Sequence, residues 1–303
     1  IDGSSPKGVD IGHASSSGTS VKGNILGLNA PGTGYFSGTT TYGVQITSSA
    51  TNISIGGTGS GDGNVISGNG SAGIYMETGP NTIQGNIIGL QANGTSLVGT
   101  QGDGIFISSS ANTIGGASAS ARNIISGNAS NGIRLSGAGA TSNVIKGNYI
   151  GPDKNGSEIS GSSQDNGINL VSSAASNIIG GWNSGESNLI TGNTLYGVYI
   201  TGASTLYNRI SRNPIYNTLA TMTKAIGLVS SGNDAYATPS ISTASTSSVS
   251  GTSANNGDSV EVFRTDANCK NVLQHLGTVV VSAGAWSLSG LSLSGSDRIF
   301  ATV

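Results

Sequence analysis

The residues able to carry acid–base or metal chemistry are few. Of 303 residues, 14 are Asp or Glu, 12 are Lys or Arg, two are His and one is Cys. The carboxylates of the first 235 positions are Asp2, Asp10, Asp62, Glu77, Asp103, Asp153, Glu158, Asp165, Glu186 and Asp234. Hydrolysis of a glycosidic bond needs two carboxyl groups about 5–9 Å apart. No two acidic residues are adjacent in this chain. Most stand in Gly-rich turn contexts, where Asp serves local turn hydrogen bonds. His13, His275 and Cys269 do not make a zinc set, since the two histidines belong to different segments. No nucleophile elbow and no phosphate loop occurs in a strand-to-helix context. No catalytic residue, metal or cofactor is therefore expected.

The elements that would position any site follow from repetition. A phrase Gly-(Ile/Val)-x-(apolar) starts at Gly8, Gly43, Gly73, Gly104, Gly132, Gly167 and Gly197, with a degenerate copy at Ala225. A second phrase, apolar-x-Gly-Asn-x-(Ile/Leu)-Gly, places Asn24, Asn86 and Asn148 at intervals of 62 residues. A third, Asn-(apolar)2-(Ser/Thr)-Gly-Asn, starts at Asn64, Asn123 and Asn188, each time after Ile-Gly-Gly. The unit is thus 62 residues, built of two similar turns. Apolar residues at alternate positions suit strands with one buried face. The 50 Gly and 29 Asn supply bends that β-branched residues cannot adopt. Stacking such turns about 4.8 Å apart joins their apolar faces into one core, and repeated Asn can form an amide ladder. The predicted fold is all-β: a parallel β-helix of about eight turns over residues 1–235, right-handed by the usual crossover rule. A helical alternative fails on the period-2 pattern and the Gly content.

These phrases resemble the parallel β-helix repeats of large bacterial cell-surface and secreted proteins, and Ile1-Asp2-Gly3 resembles the strand that opens such helices. The resemblance implies a fold and an extracellular or cell-surface setting. It does not imply one function, because lyases, tailspikes and adhesins share the scaffold.

The 62-residue register decays after Asn193, where Asn213-Pro214 replaces the expected Gly-Asn pair with a strand-breaking Pro. Residues 217–235 read as a last turn or cap. Residues 236–250 are rich in Ser and Thr and read as a linker. Residues 251–303 show alternation (Val260, Val262; Val279, Val281; Trp286, Leu288; Ile299, Ala301) between turn signals, as in a small antiparallel sandwich. Val-Glu-Val-Phe, Leu-Gly-Thr and Gly-x-Trp-Ser-Leu-x-Gly-Leu resemble the Ig-like modules of bacterial adhesins. The module lacks an expected final strand, and the chain starts without Met, so it reads as a piece of a longer protein.

If the apolar residues of the Gly-Ile-x-Ile strands point inward, the x positions form an outward column: Asp10, Gln45, Tyr75, Phe106, Arg134, Asn169, Tyr199 and Gly227. Tyr75, Phe106, Arg134, Asn169 and Tyr199 are the candidate carbohydrate-binding residues, with rings for stacking and polar groups beside them. Favourable cross-strand pairing alone would also place aromatics together. The expected function is an extracellular scaffold or adhesin-type module whose partner is a polysaccharide or cell-surface glycan. The alternative is a polysaccharide lyase or glycoside hydrolase with its site in the aligned inserts at 28–42, 90–103 and 151–166. A calcium-dependent lyase would need clustered Asp beside a basic residue, and Arg134 stands in its column without Asp on the adjacent turns. A self-associating filament subunit is a further alternative. An ice-binding face would want a regular Thr ladder, whereas the outward columns are mixed. A net charge of −2 gives no footprint for nucleic acid, and no apolar run reaches the roughly 20 residues that span a bilayer.

Overall fold

A computed structural model of the protein describes residues 7–35, 40–99, 101–217, 223–235, 239–265 and 272–302. Ile1-Asp2-Gly3 and Cys269 lie outside the described residues. Among the described residues every regular element is a strand, apart from short 3-10 turns.

The repeats form a parallel β-solenoid with three sheets. The first contains all eight Gly-Ile phrases, from Lys7–Ile11 to Lys224–Val229. The second runs through seven strands from Ser20–Val21 to Arg209–Ser211, and the third takes its seven parallel strands from Ile25–Leu26 to Ile215–Tyr216. Seven complete turns are therefore present, and an eighth strand extends the first sheet. The alternation places Val44, Ile74, Ile105, Ile133, Ile168 and Val198 inside at 0% exposure. Ile46, Met76, Ile107, Leu135, Leu170 and Ile200 form a second column at 0%.

The expected amide ladder exists three times. One passes through Asn24, Asn64, Asn86, Asn123, Asn148, Asn188 and Asn213. Each side-chain Nδ2 donates to the Oδ1 of the next at 2.9–3.2 Å. Each backbone N–H donates to the same oxygen. The two Asn phrases are thus one structural position on alternate turns. A second ladder links Asn112, Asn143, Asn177 and Asn208. A third alternates Asn and Gln through Asn69, Gln101, Asn128, Gln164 and Asn193 at 2.7–2.9 Å. Buried amides need partners, and here the adjacent turn supplies them.

Two features of the C-terminal region depart from the sequence reading. Asn213 continues the first ladder and donates to the Ile179 carbonyl at 2.9 Å. Pro214 occupies the exchangeable position after it and accepts from Ile190 N–H at 3.0 Å. The Gly of the phrase is replaced by Arg212, so the register persists one turn beyond its expected end. The stretch read as a linker carries two strands, Ser240–Ala244 and Ser248–Thr252. They pair antiparallel, and paired hydroxyls (Ser240 with Thr252, Thr243 with Ser250) hold the ladder side by side at 2.7 Å. Ser and Thr thus serve there as exposed strand residues.

The C-terminal residues build two antiparallel sheets. Ala285–Ser289 joins the two strands above, while Ser259–Thr265, Val272–Val280 and Arg298–Thr302 form the other. Val249 and Trp286 meet Val260, Val262 and Ala301 between them. The second sheet also continues the third solenoid sheet through an antiparallel bridge from Ile215 to Val272. Phe263 and Val272 enter the solenoid core, and Phe300 packs beside them. The open end of the solenoid is therefore closed by apolar residues of the C-terminal unit. Glu261, 5% exposed, reinforces the junction by accepting from Ser211 Oγ and from Arg212 N–H. Burial pushes its carboxyl up from the ordinary range.

Candidate functional site on the outer face of the first sheet

The outward column is continuous in register. Asp10 pairs with Gln45, Gln45 with Tyr75, Tyr75 with Phe106 and Phe106 with Arg134. Arg134 then pairs with Asn169, Asn169 with Tyr199 and Tyr199 with Gly227. At one strand spacing per step, Tyr75 and Tyr199 stand about 19 Å apart.

The rings do not lie flat on the sheet. Tyr42 stacks on Tyr75 and Tyr75 on Phe106, each with centroids 5.0 Å apart. The Arg134 guanidinium closes that stack, 4.9 Å from the Phe106 centroid. Ring faces inside the stack are therefore occupied by one another, and the Tyr75 hydroxyl accepts from Ser108 Oγ at 3.4 Å. Tyr196 and Tyr199 form a second stack at 4.7 Å. The column ends at Gly227 because those rings fill the space over it. A Cβ there would stand 2.5 Å from Tyr196 Cε1.

Between the stacks lies a polar relay. Arg134 sits 3.8 Å from Asp103 Oδ2. Asp103 Oδ1 accepts from Asn131 Nδ2 at 2.7 Å and from Asn131 N–H at 3.2 Å. Asn131 Oδ1 accepts in turn from Asn166 at 2.9 Å and Asn169 at 3.2 Å. The Oδ1 atoms of Asn166 and Asn169 then have no hydrogen-bond partner among the described residues. The relay amides each donate toward Asp103, Asn131 also donating to Ser130 Oγ at 2.9 Å, so buried acceptors are left over at the far end.

The structure thus joins Tyr75, Phe106 and Arg134 by direct contact, links Asn169 to them through Asn131, and sets Tyr199 across from Asn169. Tyr42, Asp103, Asn131, Asn166 and Tyr196 were missed because the column was drawn through one position per strand. Their signal was the residue before each Gly, which reads Lys7, Tyr42, Ala72, Asp103, Asn131, Asn166, Tyr196 and Lys224. Five of these eight are aromatic or polar uncharged or acidic side chains on the same face, where a continuing strand interior would be apolar.

The inserts expected to wall a groove stack on one another. Ala92 N–H donates to Gly32 O at 2.9 Å, and Lys154 N–H to Gly94 O at 3.0 Å. Antiparallel bridges close each loop, at Leu28 with Tyr35, Leu90 with Leu97 and Pro152 with Glu158. Their carboxylates are engaged locally: Asp153 Oδ1 accepts from Asn155 N–H at 2.8 Å and Ser157 N–H at 2.9 Å, and Glu158 accepts from Thr191. Elsewhere on the solenoid, the Lys146 hydrogen bond holds Glu186 down to about 2, and Lys22 pushes Asp62 down. A general acid needs the opposite displacement. Among the described residues no group of three or more His, Cys, Asp or Glu could hold a metal, and no helix is long and apolar enough to cross a membrane.

No protein-family model matches this chain, and no curated protein matches it.

Proposed function

We propose that this chain is a rigid scaffold of an extracellular or cell-surface protein, and that the outer face of its first sheet binds a polysaccharide. The carrying observation is the registered outer face itself, on which two aromatic stacks flank the polar relay from Arg134 and Asp103 to Asn169. Sugar C–H surfaces suit ring edges and stack ends, and sugar hydroxyls suit the polar side chains beside them. Stacked amide ladders and an end closed by the C-terminal unit support the scaffold reading, because they give stiffness along the stack. The two facing antiparallel sheets at the C-terminus support an Ig-like module of the adhesin type.

The test is glycan-array binding of the intact chain against the double variant Tyr75→Ala, Phe106→Ala and the single variant Asn169→Ala. Loss of the bound glycan class in both is expected. Unchanged binding in both, with the fold retained by circular dichroism, would remove the first sheet as the binding face.

A further inference from the structure

A second cluster lies on a different flank, at the last turn of the solenoid, and is independent of the face described above. The phrase apolar-x-Gly-Asn places Gly at 23, 85 and 147, with φ of +67°, +70° and +70°. In the last copy the same position is Arg212, with φ +56°. Gly adopts this conformation freely, whereas a residue bearing a Cβ is strained in it. Ladder geometry therefore does not explain the arginine, and its side chain must.

That side chain meets Trp182. The Arg212 guanidinium carbon stands 5.0 Å from the indole centroid, and one of its terminal nitrogens donates to the Trp182 carbonyl at 2.6 Å. Arg209, on the preceding strand position of the same corner, places its own guanidinium carbon 5.5 Å from the same ring. Neither guanidinium forms an ion pair among the described residues. The nearby acids are otherwise engaged: Glu186 pairs with Lys146 at 2.8 Å, and Glu261 accepts from Ser211 and from the Arg212 backbone. Arg209 is exposed and Trp182 is 38% exposed, so the cluster opens to solvent. A chain with only 12 cationic side chains thus sets two on one indole, with the buried Glu261 as the acid that feels both charges.

Packing against a ring holds the exposed Arg209 guanidinium by its face and leaves its N–H edge for an in-plane oxyanion, whereas Arg212, with a terminal nitrogen on the Trp182 carbonyl and a buried Nε, adds positive charge beside it. One such fork beside a second guanidinium charge suits carboxylate or sulfate groups, and the exposed indole surface suits the sugar ring that carries them. We propose that Trp182, Arg209 and Arg212 form a binding site for an acidic polysaccharide, with an anionic group on the Arg209 edge and the Arg212 charge beside it.

Affinity electrophoresis of the full chain through gels containing polygalacturonate, dextran sulfate or neutral dextran tests this. Retardation by one or both acidic polymers and not by dextran is expected, and the two acidic arms separate carboxylate from sulfate recognition. Arg209→Gln and Arg212→Gly should each weaken that retardation about tenfold, the effect of losing one charge-assisted contact. Arg212→Gly restores the residue of the other copies, so its fold should be retained, as thermal unfolding will show. Tyr75→Ala with Phe106→Ala should leave the retardation unchanged, which keeps this site separable from the first-sheet face. No retardation by either acidic polymer, equal retardation by dextran, or undiminished binding in both arginine variants would overturn the proposal.

Discussion

The solenoid and the C-terminal unit are both all-β, yet they solve the same problem in different ways. In the solenoid the buried ladder amides are met by like amides one turn away, as along the ladder from Asn24 to Asn213. In the C-terminal unit, buried polar groups meet unlike partners or none. Glu261 is met by Ser211 and Arg212 of the last turn, whereas Trp286 Nε1 has no partner among the described residues. The repeat satisfies itself by translation, and the closing unit depends on particular contacts. Damage to one turn should therefore propagate through its neighbours, while damage at the junction should separate two regions.

Asn123→Ala gives the largest expected effect. It removes the acceptor of Asn86 and the donor to Ile83 O and Asn148 Oδ1, all buried. Stability should fall by roughly 3–5 kcal/mol, since each unmet buried group costs about 1–3 kcal/mol. Urea unfolding followed by circular dichroism measures it. A loss below about 1 kcal/mol would mean that the ladder is ornamental. Gly147→Ala belongs with it, because its Cβ would stand 1.9 Å from Gly116 O at a φ of +70°.

Phe263→Ala comes next, at about 3 kcal/mol for an aromatic removed from a core. The two tryptophans report separately, Trp182 on the solenoid and Trp286 on the C-terminal unit. With Trp182→Phe or Trp286→Phe as background, the Trp286 signal should melt before the Trp182 signal. Coincident melting would show one cooperative unit and dissolve the contrast. Gly61→Ala should be milder, about 1 kcal/mol, since φ is +79° but no atom lies within 4 Å of the added methyl.

The smallest effect is pH dependence at the junction. Burial, aided by the Arg212 charge, pushes His275 from 6.5 down to about 4. The unfolded chain then binds that proton first on acidification, so this contribution to stability is present above 6.5 and is lost as pH falls toward 4. Glu261 works in the opposite sense. Its raised carboxyl takes a proton more readily in the fold, so stability falls as pH rises through and above the ordinary carboxylate range. His275→Gln should flatten the acid limb of the Trp286 melting curve and leave the Trp182 curve unchanged.

The repeating part of this fold was legible because translation writes the same constraint many times. Ile133 is predictable from Ile105 and Ile168, and the outward column from Asp10 to Gly227 followed from counting. What was hidden occurs once. Arg212 masks the Gly that would have marked the last turn, although Asn213 keeps its place. The closing role of Phe263 and Val272 depends on contacts between regions with no shared period. The strands at Ser240–Ala244 and Ser248–Thr252 are made of residues whose composition reads as linker, because the first faces solvent and the second buries one large apolar side chain, Val249. At the candidate face, the column was readable, but ring orientation was not. Register says which residues are neighbours, and only torsion angles say whether they stack on each other or on a ligand.

The three ladders also set how the molecule would respond to tension. Consecutive turns are consecutive in sequence, so a pull on a chain end loads only the outermost turn while those behind it remain stacked. Each turn that peels away releases about 30 residues, or roughly 100 Å of extended chain. A tethered solenoid of this kind would lengthen in equal steps and absorb work at each one, acting as an extensible strut whose rows re-form when the load is removed.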